Sequence, residues 1–252
     1  MARACIFCGA SPTTNAHIFR RAWIEKMVYP GGENFTHRHI RRGEGGFDQT
    51  WSPRGFDIKV NCVCVRCNGE WMERLDLDAE SAFLTHAVTG YGARLGQSER
   101  GLIARWCSLV AILFDQVQHA PVLDADVHRT LFDGAVPDGT MIWLARTEPP
   151  LWKMAIWAEP REWRLGDDSS NALNAYFMSF GVGHLVAQTF IPTKRTPEGI
   201  ELDRSANAAV VRELWPGNFQ PFIWPPPQTL PWEQLEELKD AFGVWSVSPP
   251  DI

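Results

Sequence analysis

Two Cys-x-x-Cys pairs, Cys5 with Cys8 and Cys64 with Cys67, restrict what this chain can fold into more than any other feature. Each pair puts two thiols on one tight turn, where backbone amides stabilise charge on sulfur. The second pair follows 56 residues after the first and lies just before a predicted helix. Structural zinc takes four ligands tetrahedrally, and two such turns supply all four. A single pair could be redox-active, but two pairs without a thioredoxin-like βαβ pattern favour metal. Cys62 is a competing ligand, because on a strand it shares a face with Cys64; the Cys64-x-x-Cys67 spacing makes the better turn. Cys107 sits in an apolar helical pattern and reads as core. The zinc is expected to be structural, tying a short N-terminal segment to a strand and helix that could not bury a core alone.

Five of the six cysteines fall within the first 67 residues, and charge divides the chain in the same way. Residues 1–74 carry 11 Lys and Arg against 7 Asp and Glu, whereas the whole chain of 252 residues has a net charge of −6. A basic front on an acidic body permits a local polyanion site and argues against a protein that coats nucleic acid over its whole surface. No run of about 18 apolar residues exists to span a membrane. The opening MARACIFCGA has no stretch apolar enough for a secretory signal, so the expected location is cytoplasmic.

The periodicities predict an α+β chain in two parts, residues 1–78 and residues 79–252. In the first, Arg20 to Val28 can form a short helix stopped by Pro30-Gly31-Gly32. Residues 33–55 are polar, basic and Gly-rich, and read as a long loop or weak hairpin. The alternation of Phe56, Ile58 and Val60 predicts a strand running into Cys64. After Cys67, NGEWMERLDL reads as a helix with Trp71 and Leu75 on one face. In the second part, Gly101 to Val117 carries a wide apolar stripe. Strands are predicted over Met141–Ala145, Trp152–Ala158, Ala175–Phe180 and His184–Phe190, with a turn at Gly181-Val182-Gly183. The Pro- and Trp-rich stretch near the end should run extended with Trp215, Trp224 and Trp232 packed inward. A helix from Glu233 to Phe242 closes the chain.

Taken as a set, Cys5 and Cys8, then His17-Ile18-Phe19, then Cys64, Cys67-Asn68 and Trp71-Met72 resemble the zinc-bound branch of the HNH, or His-Me finger, endonucleases. The resemblance covers residues 1–78 and implies a zinc-bound ββα unit. It implies that His17 is the general base that activates water, and that Asn68 helps hold one catalytic divalent ion, Mg2+ or Mn2+, against a DNA phosphodiester. Both roles fit elementary chemistry: a neutral imidazole accepts a proton near pH 7, and a hard cation with few protein ligands holds phosphate oxygens. A place in restriction or phage defence would suit such a protein.

One position departs from the family. Many members carry Asp or Glu before the histidine as a second metal ligand, and here Ala16 stands there. Three readings stay open: metal ligation through asparagine alone, a disarmed site, or a natural module that binds without cutting. Glu70 and Asp76 are candidate replacement carboxylates. Arg20, Arg21, Arg38, Arg41, Arg42 and Arg66 surround the site in sequence and are the expected DNA contacts, duplex DNA being the expected partner. The second part is expected to serve recognition or assembly, as a homodimer or with a partner protein. The competing function is a non-catalytic zinc module that binds DNA or protein. His86, His119, His128 and His184 show no ligand spacing.

Overall fold

The computed structural model describes residues 3–23, 37–40, 48–51, 58–118, 120–148, 154–164, 172–193, 201–203, 210–217, 220–231 and 246–248. It is an α+β fold. In chain order the first strands are β1 (Thr13–His17), β2 (His37–Ile40), β3 (Asp48–Trp51) and β4 (Lys59–Cys64). β1 and β4 are antiparallel, with Thr13 opposite Cys64, His17 opposite Lys59, and a register shift between Thr14 and Ala16 where β4 has one residue more. β2 and β3 form their own antiparallel pair, His37 opposite Trp51. The described parts of the basic segment are thus an antiparallel strand pair. Helical structure at 21–23 begins where the short helix is predicted; the rest of that helix and Pro30-Gly31-Gly32 lie outside the described residues.

From Val65 the chain is helical without a break to Thr89, a run called α1, and Gly90 (φ 81) ends it in the left-handed conformation glycine tolerates. Two π turns, Asn68–Met72 and Glu80–Leu84, interrupt its α-helical hydrogen bonding. Each such turn admits an extra residue and rotates the side chains that follow. The apolar face survives, with Met72, Leu75, Ala79, Phe83, Leu84, Ala87 and Val88 all buried. The helix passes straight through residue 78, where the sequence changes character.

After β5 (Ala93–Leu95) comes α2 (Gln97–Asp115), longer at its start than the apolar stripe indicates. The Glu99 carboxylate reaches back to accept the Gly96 N–H at 2.9 Å, which caps the first turn. A short helix α3 (Ala125–Phe132) follows, its first N–H groups from Asp126 and Val127 bonded to the Asp124 side chain at 3.0 Å each.

The main sheet comprises β6 (Met141–Thr147), β7 (Met154–Arg164), β8 (Ala172–Val182), β9 (Leu185–Pro192), β11 (Val211–Trp215) and β13 (Thr229–Leu230). Its order is β11-β6-β9-β8-β7, and β13 adds to β6 in parallel. β8 runs two residues past its predicted end, because Gly181 and Val182 pair with Val186 and Leu185. The turn is Gly183-His184, with Gly183 at φ 53, a two-residue hairpin turn of the kind that needs positive φ. β10 (Glu201–Asp203), which precedes β11 in the chain, pairs with β14 (Ser246–Ser248). Between β11 and β13, β12 (Phe222–Trp224) returns to pair with β5, Trp224 opposite Ala93. Trp224 is buried and Trp215 packs partly buried against the core, as expected; Trp232 and the predicted final helix lie outside the described residues.

Alternation along the strands gives the sheet two apolar faces. Ile142, Leu144, Tyr176, Met178, Phe180, Leu185, Ala187 and Ile191 point to the face that carries α2. Trp143, Ala145, Ala175, Phe177, Val186 and Phe190 form a separate cluster on the other face. The first cluster is continuous with Cys5, Phe7, Phe19, Val60 and Met72 of the N-terminal unit. One core therefore serves both parts.

Candidate metal centre and the strand end at His17

The first cysteine turn is closed by Gly9 N–H donating to Cys5 O at 2.9 Å and Cys5 N–H to Ala10 O at 2.8 Å. Gly9 takes φ 73 there, which a side chain would strain. Ile6 N–H donates to Cys62 O at 2.9 Å and so hangs this turn on β4. The second turn opens α1, where Cys67 N–H points at Cys64 Sγ at 3.4 Å. Cys8 Sγ lies 3.5 Å from Cys64 Sγ, and all four sulfurs of Cys5, Cys8, Cys64 and Cys67 fall within 4.8 Å of one another. Zinc–sulfur bonds of about 2.3 Å in a tetrahedron separate sulfurs by about 3.8 Å. The four thiols are therefore spaced to hold a metal ion such as zinc.

Electrostatics point the same way. Burial acts against a Cys5 thiolate, but backbone N–H groups of Cys8, Cys64 and Phe7 outweigh it and bring the group down to about 7. Cys67 is driven up, first by burial and then by the sulfurs beside it. Four anionic sulfurs crowded together cannot all lose their protons unless a cation balances them. Cys62 is outside the cluster; burial, then the Cys5 charge, pushes its thiol up to about 12. Its backbone, not its sulfur, serves the site. Cys107 is core, as its helical pattern indicates. Phe7, between the first two ligands, stands edge-on to Trp71 of α1 at 4.9 Å and near His128 of α3 at 6.1 Å. The turn is thus packed as well as bonded.

His17 closes β1 and is half-buried. Asn68 follows Cys67 and opens the first π turn, also half-buried. Ala16 is fully buried at 0% exposure, facing the core opposite Val60. Neighbouring Asn15 turns the other way, accepting from Asn61 Nδ2 at 3.3 Å, and Thr13 Oγ1 donates to Asn61 Oδ1. Among the described residues, the four cysteines are the one grouping of His, Cys, Asp and Glu ligand atoms close enough to share a metal, and His17 belongs to no such set.

The candidate carboxylates and arginines have defined surroundings. Glu70 is exposed and pairs with Arg66 at 3.3 Å, one helical turn away. Asp76 accepts from Trp106 Nε1 at 2.9 Å, and burial raises its carboxyl to about 7, moderated by Trp106 and Arg20. Arg20 donates to Glu80 Oε2 at 2.8 Å, with the two side chains 25% and 13% exposed. Arg21 is exposed at the start of the helical turn. Arg38 lies on β2, and Arg41 and Arg42 fall outside the described residues. The links Arg20–Glu80 and Asp76–Trp106 escape sequence reading, because each spans at least 30 residues and only the spacing of α1 positions 76 and 80 hints at a shared face.

Compared with models of known families, with curated proteins and with solved structures, the chain finds no significant match. Among the described residues no helix is long and apolar enough to cross a membrane.

Proposed function

We propose that this chain is a zinc-stapled, divalent-metal-dependent DNA endonuclease of the HNH kind. The observation that carries the reading is the four-sulfur cluster. It joins the turn leading into β1, which ends at His17, to the turn that opens α1, where Asn68 begins the first π turn. His17 would accept the proton of the attacking water through a ring nitrogen. The Asn68 carboxamide oxygen, a hard neutral donor, would be the protein ligand for Mg2+ or Mn2+. When bound, that ion would neutralise charge on the scissile phosphate. The substrate is duplex DNA, cut in restriction or phage defence, with residues 79–252 contributing to recognition or to assembly with a second copy or another protein.

Ala16 favours a second reading, a zinc module that binds DNA or a protein without cutting. With alanine at this position β1 carries no carboxylate beside His17, and the Ala16 Cβ is buried. A nicking assay on supercoiled plasmid, with Mg2+ or Mn2+ and zinc-loaded protein, separates the two. The nuclease reading expects cleavage that His17→Ala and Asn68→Ala each abolish while zinc content stays at one per chain. Full cleavage by either variant removes that residue from the mechanism. Zinc-loaded, folded protein that cuts neither duplex, branched nor single-stranded DNA gives the lead to the binding module.

A further inference from the structure

The zinc cluster fixes where β1 begins, since Thr13 lies opposite Cys64. It does not fix where β1 ends. The three residues beyond His17 are held partly by β4's neighbourhood in the N-terminal unit and partly by the rest of the molecule. Ile18 N–H donates to Ile58 O at 3.0 Å. Phe19, 1% exposed, puts its ring 5.4 Å from Phe180 of β8 and 6.3 Å from Trp106 of α2 and from Trp23. Trp106 and Phe180 themselves meet edge-on at 5.8 Å, and Trp23 meets Trp106 at 6.0 Å. Arg20 is held to Glu80 in the second π turn of α1, and the Trp106 indole is aimed by its bond to Asp76. Apolar ring and charged head of consecutive residues are thus gripped by different elements, with Trp106, Phe180 and Glu80 all beyond residue 75.

We propose that residues 79–252 form the seat for the end of β1, with Trp106 and Phe180 acting through Phe19 as positioning residues for His17. The zinc turn and this aromatic seat hold opposite ends of one five-residue strand. The β4 ladder places the His17 backbone opposite Lys59, and the aromatic seat adds packing two residues beyond it. This gives the larger part of the chain a task within the candidate site itself. The consequence for catalysis rests on the nuclease reading; the placement of His17 does not.

The test uses full-length, zinc-loaded protein and two variants that remove similar volume from opposite faces of one sheet. Phe180→Leu loosens the seat, and Phe190→Leu, in the cluster on the other face, is the control. The probe is carbethoxylation of His17 by diethylpyrocarbonate, followed by mass spectrometry of its peptide, alongside zinc content and plasmid nicking at saturating DNA. Phe180→Leu is expected to change the His17 modification rate and lower kcat, toward the roughly 100-fold loss that a misplacement of about 1 Å produces, with zinc and KM unchanged. Phe190→Leu is expected to leave both at the unsubstituted level. Equal effects from the two variants, or none on His17 from either, overturn the seat. If the unsubstituted protein cuts no DNA the nuclease reading falls, and the modification rates alone still decide for or against the seat.

Discussion

Cys8 and Cys62 are both cysteines of the N-terminal unit, yet they have opposite fates on substitution. Cys8 is exposed and sits 3.5 Å from Cys64 Sγ, whereas Cys62 is buried outside the cluster. Cys62→Ala should keep one zinc per chain by elemental analysis, and Cys8→Ala should lose it; the reverse result would reassign the fourth ligand. Ala16 supports a second prediction at this scale. A glutamate there would meet the core, and an unpaired buried carboxylate costs several kcal/mol. Ala16→Glu is expected to lower the melting temperature of zinc-loaded protein without Mg2+, and Mn2+ should restore part of it if the carboxylate reaches a metal. An unchanged melting temperature would mean that position 16 opens to solvent.

Asp76 adds a pH signature. Its carboxyl keeps its proton to about 7 in the folded chain against 3.8 as the ordinary value, because burial disfavours the charge. The stabilisation from the protonated form is fully present below pH 3.8 and is lost as pH rises through 7. Between pH 4 and 7, the native protein should therefore lose stability relative to Asp76→Asn. A difference between their unfolding free energies that stays flat over that range would contradict the assignment.

Among the elements, the Pro- and Trp-rich segment is held by one side chain that its own sequence does not announce. Arg100 of α2, 2% exposed, donates to Leu214 O at 2.8 and 2.9 Å, to Gln220 O at 3.0 Å and to Pro216 O at 3.4 Å. Gly217 lies against it at φ 59, and a Cβ there would come within 1.3 Å of Arg100 Nη2. Arg100→Met leaves those carbonyls unanswered and should cost about 3 kcal/mol in denaturant unfolding. Gly217→Ala combines a left-handed backbone with overlap and should cost a similar amount.

What the sequence could tell at this scale follows from distance along the chain. The four zinc-spaced cysteines, α2 and most of β6, β8 and β9 are local patterns and can be read directly. The sequence pattern ends β8 too early, because Gly181 and Val182 look like turn residues, yet both pair with buried β9. The π turns of α1 were illegible, since an added residue per turn leaves no compositional mark. The Arg100 clamp and the pairing of β5 with β12 depend on partners more than 110 residues away. The roles of His17 and Asn68 came from resemblance, and only their positions on β1 and α1 are visible in the fold.

For the whole molecule, the continuous core and the unbroken helix across residue 78 mean that loss of a metal held by the four cysteines would be felt far from it. Stripping zinc with a strong chelator should lower the melting temperature of the entire chain in a single transition, read equally by far-ultraviolet dichroism and by near-ultraviolet tryptophan signals. Two separated transitions would show that the N-terminal unit folds apart from the sheet.

The helix that carries Asn68 at one end and Glu80 farther on also sets a physical condition on exchanging parts of such a chain. Recombination at residue 78 would cut α1 in mid-turn and part Phe19 from both Trp106 and Phe180. A head joined to a foreign body would arrive with its staple and without its hinge post. Any exchange of one half for another would have to rebuild that aromatic packing as well as the helix.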